Sequence, residues 1–138
     1  MLQFYFLSIL LNCIAGFILI ANKNSKTGNE SSDTKMPEIF KDKTFKLVIA
    51  IMCCFTALVK LLTSFPGAMP IIGDLIPSVA GALGGIALLV EYYLSQSPTE
   101  TKLNPKLETI FIANKKYIGI ICILSAVLHF LFPKVILL

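Results

Sequence analysis

Three ionisable side chains stand inside or at the edge of long apolar runs: Lys60, Asp74 and His129. Burying charge in such surroundings is costly, and it is kept mainly where it binds or moves something. A lysine offers donors to an anion, a carboxylate pairs with a cation or caps a helix, and an imidazole takes up and releases protons. Together the three could form an outer-facing ligand site for an ion, a proton or a small anionic or lipid ligand. Singly, Lys60 could snorkel to a headgroup layer, Asp74 cap a helix and His129 make one structural hydrogen bond.

Other chemistry is thinly supplied. One histidine cannot give bis-histidine haem ligation, and the chain has no HExxH, Walker or GxSxG motif. Ser125 precedes His129 by one turn, but no acidic residue is placed to complete a triad. Cys13, Cys53, Cys54 and Cys122 all fall in apolar runs, without CxxC or metal-ligand spacing, and read as small packing residues. We therefore expect no catalytic residues, no cofactor and no metal, and not an enzyme.

The elements that must position these residues are plain. Residues 2–21, 45–65, 75–94 and 117–138 are four apolar runs of about 20 residues, the length that crosses a hydrocarbon core of roughly 30 Å as a helix. With 56% hydrophobic and 14% charged residues and a mean hydropathy of +0.81, the composition lies far from that of a soluble domain, where charged residues make up about 25%. The expected fold is an all-α integral membrane protein, one domain over 1–138, with four transmembrane helices in one bundle. The first run lacks a basic leader and a small-residue cleavage site, so it reads as a retained helix.

Charge sets the expected orientation. Lys23, Lys26, Lys35, Lys41, Lys43 and Lys46 crowd the first connection and its borders, and Lys102, Lys106, Lys115 and Lys116 the third. The second connection has none, so loops 22–44 and 95–116 are expected on the cytoplasmic side, with both termini outward, in a bacterial-type inner membrane. The net charge of +4 is carried by lysine alone; without arginine, nucleic acid is not an expected partner. Glu91, with Tyr92 and Tyr93, marks the cytoplasmic end of the third run and could pair with a loop lysine. In the third connection Leu107, Ile110 and Phe111 share one helical face, which predicts a short interfacial helix, and the segment from Met36 to Lys46 predicts a similar entry turn.

Shifting the chain against itself by 69 residues places Lys46, Ile49, Ile51, Cys53, Ala57 and Leu62 on Lys115, Ile118, Ile120, Cys122, Ala126 and Leu131. Gly16 falls on Gly85, Thr56 on Ser125 and Lys60 on His129. This pattern suits two duplicated helical hairpins related by a pseudo-two-fold axis along the membrane normal, with any central site between the first and third or the second and fourth helices. Gly16, Gly81, Gly84 and Gly85 are candidate helix-packing positions, Gly81 and Gly85 forming a GxxxG.

Two functions fit. The first is a non-catalytic subunit or assembly factor, packing through small-residue faces against other transmembrane helices in a homo-oligomer or a heterologous complex. The second is a small oligomeric carrier or channel using Lys60, Asp74 and His129. Convergence of Lys60 and His129 on one cavity would favour the second, and side chains directed to lipid headgroups the first.

Overall fold

The structure is a computed structural model and describes residues 2–21, 37–63, 75–96 and 104–132. In chain order these form α1 (Leu2–Ala21), a 3-10 turn (Glu38–Lys41), α2 (Lys43–Thr63), α3 (Leu75–Gln96), α4 (Pro105–Glu108) running into a π turn (Thr109–Ala113), and α5 (Lys115–Leu131). The described residues are all helical or connecting, with no strand. Three helices are long and apolar enough to cross a membrane by length and composition. A fourth qualifies if Pro105–Ala113 and Lys115–Leu131, bent by 52°, count as one span.

Local chemistry sets the helix starts. Asp42 accepts a hydrogen bond from Thr44 N at 3.2 Å, occupying one of the donors that the first turn of α2 leaves open. Asn104 does the same for α4 through Lys106 N, and Pro105 fills the first helical position, where a missing amide costs nothing. The 3-10 turn is anchored by Phe40, whose ring lies edge-on between Phe17 and Phe45 at centroid distances of 5.7 and 5.5 Å.

The tightest pairings are α2 with α3 and α1 with α5, while α1 and α3 also cross each other at the centre. α2 and α5 pack chiefly against those two. The arrangement repeats at a spacing of 69. Between Ile49 and Lys60 the buried positions of α2 are 49, 50, 53, 56, 57 and 60; on α5 they are 118, 119, 122, 125, 126 and 129, each 69 higher. The buried positions of α1 from Ser8 to Leu19 map in the same way onto those of α3 from Pro77 to Leu88, with Ser78 the one addition.

Individual contacts repeat too. Cys53 Sγ donates to Leu11 O at 3.7 Å, and Cys122 Sγ to Ala80 O at 3.2 Å, both partners shifted by 69. Gly16 lies against Gly119, Cys122 and Ile123 of α5, and Gly85 against Ala50, Cys53 and Cys54 of α2, the same three positions in each half. A pseudo-two-fold axis therefore exchanges α1 with α3 and α2 with α5.

Candidate functional site

α2 and α5 turn equivalent stripes toward that axis: Ile49, Cys53, Thr56 and Lys60 on one, Ile118, Cys122, Ser125 and His129 on the other. Steps of four, three and four residues keep each stripe on one helical face. Near the C-terminal ends of both helices the stripes finish in a polar contact. Lys60 Nζ lies 3.3 Å from His129 Nε2, with the residues 6% and 1% exposed. An ammonium can only donate, so with Lys60 charged the imidazole must present an unprotonated Nε2; with a neutral amine a protonated Nε2 can donate to it instead. The contact is thus a hydrogen bond in either of two proton placements, and not when both groups are fully protonated.

α1 closes the site from one side. Tyr5 Oη donates to the backbone oxygen of His129 at 2.6 Å, in the last turn of α5, where helix carbonyls run short of helical donors. Its ring lies over the imidazole, centroids 4.5 Å apart and tilted by 49°, and Lys60 Nζ stands 5.8 Å from the Tyr5 centroid. That distance is within cation–π reach. Tyr5→Phe is expected to lower stability by about 1 kcal/mol, read from thermal unfolding in detergent, because it removes one hydrogen bond and keeps the ring.

Lys60 and His129, singled out in the sequence and 69 apart, are thus brought together. Asp74 lies outside the described residues. Tyr5 was missed: a tyrosine in the first turns of an apolar run reads as an interfacial anchor, and only the pairing of α1 with α5 brings it to the imidazole. The four packing glycines all face helices of the same chain: Gly16 faces α5, Gly81 faces Asn12 of α1, Gly84 faces Cys122 and Ala15, and Gly85 faces α2. Gly119, in contact with Gly16 across the α1–α5 seam, belongs with them and was also missed.

One turn below Lys60 and His129, Thr56 and Ser125 are buried, and their hydroxyls have no hydrogen-bond partner among the described residues. At the opposite end of the stripes lie Lys46 and Lys115, about 21 Å from the pair by helical rise. Lys46 Nζ meets Glu91 Oε1 at 3.4 Å, so the acidic end of α3 does pair with a lysine. Among the described residues no group of three or more His, Cys, Asp or Glu side chains could hold a metal ion.

A protein-family model matches residues 1–129. A protein of Treponema pallidum (strain Nichols), named only as an uncharacterized protein, is 33% identical over 132 residues, which cover 96% of this chain and 95% of that protein. No solved structure matches.

Proposed function

The chain belongs to the family that this match defines and is a relative of the Treponema pallidum protein, and from that premise we propose a small membrane-embedded carrier or channel that binds and releases protons at Lys60 and His129. The matched region takes in α1, α2, α3 and α5 as far as His129, and so both of these residues. The observation that carries the reading is the buried 3.3 Å contact between Lys60 Nζ and His129 Nε2 on the pseudo-two-fold axis. Two nitrogens that share a hydrogen bond in either direction form a proton-accepting unit, and few residues justify the cost of burying such a unit beside lipid other than functional ones.

The outer surface supports a membrane setting. Phe55, Leu58, Leu62, Leu124, Phe130 and Leu131 are each more than half exposed, an apolar girdle on α2 and α5 that suits lipid rather than water. The lysine-rich connections belong on the cytoplasmic side by the positive-inside rule, which puts the Lys60 end of the bundle outward. One four-helix unit leaves little room for an aqueous path, so several copies acting together suit the reading better than one.

The other reading, a non-catalytic subunit or assembly factor, draws less support from the helix faces. It rests on small-residue stripes free to receive a partner helix, and the packing glycines are all used within the chain.

The test is proton flux. The purified chain is placed in liposomes loaded with a pH-sensitive dye, and a potassium diffusion potential is imposed with valinomycin. Wild type is expected to acidify or alkalinise the lumen faster than protein-free vesicles, and His129→Leu and Lys60→Met at least ten-fold more slowly than wild type. Flux equal to that of empty vesicles, or unchanged in both variants, would overturn the proposal.

A further inference from the structure

The seam between α1, α2 and α3 holds a small cavity of about 10 Å³, lined by Ser8, Asn12, Thr56 and Ser78 among its polar residues. That is the room for roughly one water molecule. The four polar residues are 2–4% exposed. Thr56 Oγ1, on the cavity wall, has no hydrogen-bond partner among the described residues, a condition that buried hydroxyls seldom keep.

The pseudo-symmetry explains why the space exists. Asn12 and Gly81 are equivalent positions facing each other across the axis, and a Cβ on Gly81 would come within 2.8 Å of Asn12 Oδ1. Glycine on one side therefore leaves the amide its place on the other. Asn12 Nδ2 donates to Pro77 O at 3.1 Å, which turns Oδ1 into the acceptor end of the side chain.

We propose that this cavity binds a single water molecule, held by Thr56 Oγ1 with Ser8, Asn12 and Ser78 completing its hydrogen bonds. The lining offers neutral groups that both donate and accept, which suits water, and no charge that would favour an ion. Thr56 lies one turn inward of Lys60, so the water extends the hydrogen-bonding groups from the Lys60–His129 pair toward the middle of the bundle. Its part in proton movement rests on the function proposed above, whereas its binding does not.

The experiment uses the full chain, isotopically labelled, in lipid bilayers. Solid-state NMR reads proton transfer from water to side chains in wild type, Thr56→Val and Thr56→Ser, and thermal unfolding is recorded for each. The expected result is water transfer to the Thr56 and Asn12 side chains, kept in Thr56→Ser and lost in Thr56→Val, with the melting temperature of Thr56→Val lowered by several degrees. No transfer at Thr56 in wild type would overturn the proposal, as would a higher melting temperature for Thr56→Val, which is the behaviour of a dry cavity with an unbonded hydroxyl. A water signal that vanishes when sodium is replaced by choline would make the occupant a cation and overturn it equally. Liposome flux on the same preparations keeps the two ideas apart, since bound water without flux removes the carrier and leaves the water site.

Discussion

Replacing Gly16 with alanine is expected to cost about 3 kcal/mol of unfolding free energy, at the upper end of what overpacking one methyl group usually does. The added Cβ would stand 2.6 Å from the backbone oxygen of Gly119 and 2.7 Å from Ile123 Cγ1. A side-chain tip can rotate away, but a helix backbone moves only by opening the seam, and α1–α5 is one of the two tightest pairings. Gly85→Ala, its equivalent, would meet Ala50 O at 3.0 Å and Cys54 Sγ at 2.7 Å and is expected to cost slightly less, because the closer neighbour is a side chain. Gly81→Ala meets only the Asn12 amide below 3.5 Å and is expected to cost about 1 kcal/mol, the value of the hydrogen bond to Pro77 that the rotated amide gives up. Denaturant unfolding in mixed micelles orders the three. If Gly81→Ala proved the most damaging, the seams would not be packed as described.

His129→Leu and Lys60→Leu are each expected to lose about 2 kcal/mol, the range for a hydrogen bond with one charged partner, and the double variant less than the sum. Each single change removes one side of the 3.3 Å contact inside the bundle, so the second change has no part of that contact left to remove. The coupling expected from a double-mutant cycle is about 1–2 kcal/mol. Strictly additive single effects would mean that the two side chains do not depend on each other. Lys46→Leu serves as the comparison: it breaks the partly buried 3.4 Å pair with Glu91 at the other end of the stripe and is expected to show no coupling to His129→Leu.

How much of this was legible in the sequence varies with the scale. Run length and apolar content alone reveal the long helices, because a helix must bury or coat its whole circumference with apolar groups to reach that composition. The start of α5 was less legible. The residues before Tyr117 are polar enough to read as loop, yet Lys115 lies buried and begins the helix, and the 52° bend at Asn114 has no sequence signal beyond that asparagine. At the site, the 69-residue offset pointed to Lys60 and His129 as equivalents, but only the crossing of α1 with α3 shows that equivalent residues on α2 and α5 come within bonding distance. Tyr5 and Gly119 escaped notice for the same reason, since each matters through a residue more than 100 positions away. Pairwise partners of that kind are fixed by which helix lies beside which, and apolar runs of similar length do not encode it locally.

The internal two-fold has a final consequence for what can sit on its axis. Two identical hairpins meeting face to face would set like against like there, lysine against lysine or imidazole against imidazole. Two ammonium groups at that distance have only donors to offer each other and repel. Joining unequal halves in one chain removes that constraint, so a donor at Lys60 can face an acceptor at His129, and an amide at Asn12 can lean into the gap beside Gly81. The backbone keeps the economy of a repeated unit, while the side chains at its centre behave as those of a heterodimer, each half supplying what the other lacks.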